Sequence, residues 1–390
     1  MKAKLGILST HPIQYYAPLF RYLAEDSCLD LTVYYCQKPS PEQQGKGFGI
    51  SFTWDIDLIS GYSAKWLNNV SRRPDLQKFS GCDTPEIADI IKRERFDAFL
   101  TLGWYTKSMW QAMRACWQTD TPLLVRGDSH LHVDSGRLKQ AVKDMVYPLF
   151  MKKFSACLAV GTWSAEYFCH YGAKRVINSP HFIDNVWFEK RADALKPVAG
   201  QIRDSWGIPR DSLVILFAGK FEEIKRPMDL LRATKRVLEM NVPRKNIHLL
   251  MVGDGLMRRE CERFAESQSL PVFFTGFLNQ TEIPKAYAVS DILVLPGRET
   301  WGLVVNEAMA SSLPAIVSDR VGCGADLIRN GVTGYIFPCG DVNDLADKIA
   351  NLRRDDVCSM GKTARSRIAD YSVDRAARGI LNAVKDAAPC

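Results

Sequence analysis

Short, nearly continuous apolar runs recur along this chain in two series, each run closed by a turn, and no other feature constrains the fold as strongly. In the first series "AKLGILS", "LDLTVYY", "FDAFLT", "PLLVRG" and "SACLAV" read as strands, and most are separated by longer stretches with apolar residues at helical spacing. In the second series "LVILFAG", "IHLLMVG", "VFFTG", "DILVLPG", "PAIVS" and "GYIFP" repeat the scheme with short helices between. A strand apolar on both sides must be buried on both sides, which suits parallel strands covered by helices. The expectation is an α/β chain of two Rossmann-like domains, and 390 residues is a length at which one core gives way to two.

The alternation lapses in "NVWFEKRADALKPVAGQIRDSWGIPRDS", a polar stretch from Asn185 to Ser212 with two prolines, which reads as the linker. It sets an N-terminal domain over residues 1–190 and a C-terminal domain over residues 191–371. The amphipathic run "VDRAARGILNAVKD" lies in a last helix, about residues 372–390, that packs back on the first domain. Open parallel sheets bind ligands at the carboxyl ends of their strands, so two such domains facing an interdomain cleft form a ligand-binding arrangement.

Composition narrows the function classes. With 46% hydrophobic and 24% charged residues, the chain is an ordinary globular protein and not a disordered one. No apolar run approaches the ~20 residues of a membrane span, and "MKAKLGILSTHP" has too short an apolar run for a signal peptide, so a cytoplasmic location is expected. The eleven cysteines include no CxxC pair and no Cys/His cluster, which fits small buried hydrophobes in a reducing compartment better than a disulfide framework or zinc site. A net charge of +7 points to anionic partners: phosphates, acidic lipid surfaces or nucleic acid. Against nucleic acid, the aromatic residues are not interleaved with basic runs.

Two segments carry chemistry. "DILVLPGRETWGLVVNEAMASS" is strand, short loop and helix, with the helix starting at Gly302. The first N–H groups there, around Gly302, Leu303 and Val304, lack intrahelical partners and suit a phosphate. Glu307, about one turn in, can accept hydrogen bonds from vicinal hydroxyls such as those of a ribose, and Glu299 in the loop would face a sugar. The alternative is a solvated loop acid and an acid complementing the helix dipole. "LFAGKFEEIKRPMDLL" is again strand, loop and helix, with Lys220 directly after Gly219 and Lys225 five residues on. Two ammonium groups on one loop can neutralise a diphosphate, and here they would face the helix start at Gly302; the alternative is a pair of surface lysines beside Glu222 and Glu223. "MVGDGLMRRE" and "FFTGFLNQ" add glycine-marked turns where backbone can approach a base.

Together these motifs resemble the nucleotide-sugar domain of the GT-B glycosyltransferases, specifically the large retaining family 4, also called glycosyl transferases group 1. "ILFAGKFEEIKRPMDLL" is similar to its diphosphate loop, "GRETWGLVVNEAMASSLPAIVSD" to its Glu-x7-Glu motif and "GYIFPCGDVNDLADKI" to its closing strand and helix. The usual Pro-Ser-x-x-Glu opening is here Pro296-Gly297-Arg298-Glu299, and Lys220 stands where arginine is commoner. The resemblance implies that Lys220 and Lys225 hold the diphosphate, that Glu307 binds the ribose, that Glu299 contacts the donor sugar, and that the backbone near Phe277 and Leu278 reads the base. It implies no metal and no cofactor, since the lysines and the helix start take the place of a cation. It further implies retention by front-face substitution, in which the leaving phosphate helps deprotonate the acceptor.

The N-terminal half carries "STHPIQYYAPLFRYLAE" where many family members have a glycine-rich loop, and with "FTWDIDLISGY", "TLGW" and "LLVRGDSHL" it resembles a subgroup of the family. His11, Gln14, Tyr15 and Arg126 are expected on the acceptor side, with Asp128 or His130 near the acceptor hydroxyl; for His11 a structural hydrogen bond closing the loop is the alternative. Trp104 is read either as a stacking platform for an acceptor sugar or as core packing. Residues 136–153, "GRLKQAVKDMVYPLFMKK", place Leu138, Val142, Met145, Val146 and Leu149 on one side and Arg137, Lys139, Lys143, Lys152 and Lys153 elsewhere. That pattern fits peripheral contact with an anionic membrane at its inner face, or a buried helix with a solvated basic rim. The expected activity is transfer of a hexose from a nucleotide sugar, UDP-sugar above others, to a hydroxyl of a glycan, glycolipid or cell-envelope polysaccharide. Two alternatives stand: another GT-B enzyme, such as a sugar-nucleotide epimerase or sugar phosphorylase, or a glycosyltransferase acting on nucleic acid.

Overall fold

A computed structural model of the chain describes residues 2–132, 136–240 and 246–387, with the side chain of Lys139 also outside the description. The strands are β1 Ala3–Ser9, β2 Leu29–Tyr35, β3 Ser63–Trp66, β4 Ala98–Leu102, β5 Leu123–Gly127, β6 Ala156–Ala159, β7 Val176–Asn178, β8 Leu213–Ala218, β9 Ile247–Val252, β10 Val272–Gly276, β11 Ile292–Leu295, β12 Ala315–Ser318 and β13 Gly334–Phe337. Every run read as a strand is one. The two that sequence reading missed, β3 and β7, are short edge strands; β3 is largely exposed and β7 is exposed or half-buried, so neither carries an apolar run.

The strands form two all-parallel sheets, β3-β2-β1-β4-β5-β6-β7 and β10-β9-β8-β11-β12-β13. In the first, Leu8, Phe99, Val125 and Cys157 enter one core cluster while Ile7, Leu100, Leu124 and Leu158 enter another, as the two-residue period of a strand requires. In the second, Ile215, Phe217, Leu249, Met251, Val294 and Ile316 line one cluster, and their neighbours Leu216, Leu250 and Leu293 are equally buried. Both sheets are thus covered on both faces. At about 25 cal/mol per Å² of apolar surface, this burial is the main term holding each sheet.

The chain divides into two compact units. One contains the residues up to Gln44, Asp57–Phe182 and the chain from Ser372 onward; the other contains Gly45–Ile56 and Ile183–Tyr371. The C-terminal helix Val373–Ala387 belongs to the first unit and buries Ala376, Ala377, Ile380, Ala383 and Val384 there; residues 388–390 lie outside the described residues. It is fastened by Tyr22 Oη donating to Asp374 (2.6 Å) and by Ser179 Oγ donating to the Ala376 carbonyl (2.9 Å).

The stretch read as a linker is helical, which corrects that expectation. Asp184 caps a helix at Asn185–Leu195 by accepting from Trp187 N (3.0 Å), and a second helix covers Ala199–Ser205. Phe188 and Ala192 are buried, the Phe188 ring meets Tyr287 edge-on at 6.1 Å, and Arg365 pairs with Asp193. The segment is part of the second unit's body. Its one buried stripe is narrow and its other faces are charged, which is why the pattern looked like an interruption. No helix of the described residues is long and apolar enough to cross a membrane.

Candidate active site

In the second sheet the strand order reverses between β8 and β11, which is where an open parallel sheet leaves a crevice at its carboxyl end. Lys225 lies in the loop after β8 and Glu299 in the loop after β11, so the two straddle that reversal. Their side chains form an ion pair, both partly buried. Gly297 makes this contact possible. A Cβ there would come within 2.3 Å of the Ile224 carbonyl oxygen and 2.4 Å of the Lys225 Cα, so only glycine lets the two loops lie against each other. The Arg298 amide donates to that same Ile224 carbonyl (2.9 Å), and the Glu299 amide to Arg320 O (3.1 Å), which fixes the acid-bearing loop at both ends. The departure from the usual Pro-Ser opening therefore has a local cause.

The helix Leu303–Ala310 follows, with Gly302 as its N-cap residue and Leu303 and Val304 half-buried in its first turn. Glu307 is buried, and its carboxylate accepts from the Tyr287 hydroxyl. Trp301, also buried, donates from Nε1 to Asn306 Oδ1 (2.9 Å) and so ties the loop to the helix. Gly219 donates to Val252 O (3.0 Å), holding the start of the lysine loop against the end of β9. Lys220 does not share Lys225's partner: its ammonium lies over the Phe48 ring, 5.4 Å from the centroid. Phe277 and Leu278, directly after β10, are half-buried. The donor-side residues Gly219, Lys220, Lys225, Phe277, Leu278, Glu299 and Gly302 all follow the carboxyl ends of β8, β10 and β11. Two cations, an acid and a helix start gathered there can hold a polyanion with a hydroxyl-bearing group on either side.

In the first sheet the order reverses between β1 and β4. His11, just past β1, and Tyr105, just past β4, flank that point. Thr10 Oγ1 is 2.9 Å from His11 Nδ1 and 3.4 Å from Tyr105 Oη. Burial pushes the His11 imidazole down to about 4, so the ring is neutral at pH 7 and can accept a proton or a hydrogen bond. Gln14 and Tyr15 are half-buried in the same loop. Asp128 and His130 follow β5, both half-buried; His130 Nδ1 accepts from the His132 amide (3.2 Å), and its ring lies 5.1 Å from Trp163. Burial and then His132 lower the His130 titration, with Asp128 opposing. Tyr105 and His181, the latter after β7 and held neutral by burial and by Arg126, escaped sequence reading. The signal for Tyr105 was its place after a strand at the reversal, one residue beyond the tryptophan that drew attention.

One acceptor-side expectation is corrected. Arg126 is 1% exposed: its guanidinium donates to Ser179 Oγ, Ser179 O, Pro180 O and Tyr16 Oη at 2.7 to 3.3 Å and lies over the Tyr16 and Phe182 rings. A charge so enclosed, with four of its five N–H donors engaged by the protein, is an internal brace. Trp104, half-buried, packs among Tyr147, Phe150, Tyr167 and Phe168, with ring centroids 5.9 to 6.5 Å away, as the core-packing alternative requires.

Residues 199–373 match the family described as glycosyl transferases group 1. The sulfoquinovosyl transferase of Arabidopsis thaliana is 34% identical over 188 residues, which are 47% of this chain and 35% of that protein. The match thus spans about a third of that relative's own length. Among solved structures, a glycosyltransferase from Rickettsia africae superposes with a TM-score of 0.73 at 15% identity, covering 100% of this chain and 99% of that one. Anabaena HepE, solved with UDP and glucose, does so with a TM-score of 0.70 at 16% identity, covering 98% and 100%. Motif, strand-end geometry and likeness agree: residues 199–373 match the glycosyl transferases group 1 family, and the fold of the chain is that of the GT-B glycosyltransferases.

Proposed function

We propose that the protein transfers a hexose from a nucleotide-diphosphate sugar, a UDP-sugar above others, to a hydroxyl of a glycan, glycolipid or cell-envelope polysaccharide, with retention and without a metal. The observation that carries this reading is the Lys225–Glu299 pair at the sheet reversal, one loop from the helix start at Gly302. On departure of the diphosphate, Lys220 and Lys225 stabilise the charge that develops, the helix start adds its dipole, and Glu299 holds the sugar; Glu307 binds the ribose. Breaking the Lys225–Glu299 pair on donor binding frees the ammonium for phosphate and the carboxylate for sugar hydroxyls. His11, Asp128 and His130 are the acceptor-side candidates for orienting or deprotonating the hydroxyl. The UDP and glucose in the HepE structure support the choice of donor class. Incubation with UDP-, GDP- and dTDP-hexoses in EDTA should release nucleoside diphosphate from one of them, with the sugar's anomeric configuration retained by NMR. An inverted anomer would overturn retention, and loss of turnover in EDTA would overturn metal independence.

An acceptor presented on an anionic membrane is part of the same proposal. On the helix Arg137–Met151, Leu138, Met145 and Leu149 are 82%, 69% and 70% exposed, while Arg137, Lys152 and Lys153 are exposed beside them. A buried domain helix does not show its apolar side this way. The face fits the headgroup boundary of an anionic bilayer. The intact protein should co-float with phosphatidylglycerol vesicles at low salt and lose that binding in the double variant Met145→Glu, Leu149→Glu; equal flotation of both proteins would remove the membrane from the proposal.

A further inference from the structure

The segment Gly45–Ile56 comes from the N-terminal half of the sequence yet belongs to the second unit. Asn279 Nδ2 donates to Thr53 O (2.8 Å), the Thr281 amide donates to the Asp55 carboxylate (3.2 Å), and the Thr281 hydroxyl donates to it as well. Beside these anchors the Phe52 ring lies 4.3 Å from Phe277 at a 35° tilt. Phe48 meets Phe277 at 5.0 Å, edge to face, and Trp54 closes on Phe52 at 5.0 Å. The segment starts on the lysine loop. Gly47 has φ +90, and a Cβ there would come within 2.8 Å of Lys220 Nζ and 2.5 Å of Glu222 Oε1. The same stretch reaches the turn after β9, where a Cβ on Gly255 would meet the Gly47 carbonyl at 2.9 Å. The segment therefore lies across the carboxyl ends of β8, β9 and β10.

This placement joins two chemistries. Lys220 is a phosphate-binding cation in the proposed donor site, and the ring beneath it, Phe48, is one of three aromatic side chains clustered where β10 ends. Phe48, Phe52 and Phe277 are each half-buried, so each keeps an open part of its ring. Flat π-faces beside a phosphate cation recognise a base through stacking, which tolerates any base and is directional relative to the phosphates.

We propose that residues 45–56 form the base-binding wall of the donor site, with Phe48 and Phe52 extending Phe277 into a stacking surface for the base of a nucleoside diphosphate whose phosphates are held by Lys220. The inference rests on the donor-site reading given above, and the probes separate the two. The intact protein is titrated with UDP, GDP and inorganic pyrophosphate. Phe48→Ala and Phe52→Ala should each weaken the better-bound nucleotide by about 10-fold or more, the loss typical of a stacking ring, and leave pyrophosphate unchanged. Lys220→Ala should weaken nucleotide and pyrophosphate alike. Phe52→Leu keeps the apolar packing and removes the ring, so it should show the same nucleotide-selective loss with an unchanged melting temperature. Nucleotide affinity within twofold of wild type in Phe48→Ala and Phe52→Leu, with Lys220→Ala still impaired, would overturn the wall and leave the donor site standing. No effect of Lys220→Ala on any probe would overturn both.

Discussion

The two units solve the same architectural problem and treat the charged groups at their strand ends in opposite ways. In the second, Lys225 and Glu299 reach across the sheet reversal and pair with each other, partly open to solvent. In the first, Arg126 stands at the end of β5, an equally promising address, but the chain after β7 turns back over it and occupies its donors with Ser179 and Pro180. A place at the carboxyl end of a parallel strand is therefore necessary for a binding group and not sufficient. What decides is whether neighbouring backbone satisfies the charge before a ligand can.

Three measurements test this contrast. The largest effect is expected from Lys225→Ala, which removes a cation from the proposed leaving group: turnover of the nucleotide sugar should fall on the order of 10²- to 10³-fold with little change in melting temperature. Near-normal turnover would place the second unit's pair beside the structural Arg126 and erase the comparison. Next, Arg126→Ala should cost about 3 kcal/mol of unfolding free energy, because it removes the donor from two carbonyls and two hydroxyls, while the acceptor KM of the folded fraction stays within a few-fold. A raised acceptor KM at unchanged stability would return Arg126 to the site.

The smallest effect concerns His11. Its titration is lowered in the fold from the ordinary 6.5 to about 4, so between those values the unfolded chain binds more protons than the native one. Stability should therefore be fully present above pH 6.5 and fall as pH drops toward 4, by about 2 kcal/mol once screening at a half-buried ring is allowed for. Denaturant melts across that window should show a shallower slope for His11→Asn. An unchanged slope would mean that the other lowered histidines, His130, His181 and His248, account for all of it.

The placement of most residues of the proposed donor side was legible in the sequence. Gly219, Lys220, Lys225, Glu299 and Gly302 lie within short segments whose own strand-loop-helix pattern places them after strand ends, and Glu307 lies in the helix that follows. The acceptor side was less legible, because its groups come from separate strand ends and the sequence carries no sign of which will be enclosed. Arg126 looked like a ligand for that reason, while Tyr105 and His181 were passed over.

By itself the sequence determined the parallel α/β architecture, the buried strands that build it and the residue types of the proposed donor loops, since each follows from periodicity and turn chemistry within a window of some twenty residues. Tertiary structure alone decided that Gly297 lets Lys225 touch Glu299, that the supposed linker is a helix packed on Tyr287, that Arg126 is internal, and that residues 45–56 join Phe277. All four depend on contacts between residues far apart in the chain. Such contacts are set by which surfaces remain unburied once the sheets have formed, and local patterning carries no record of that.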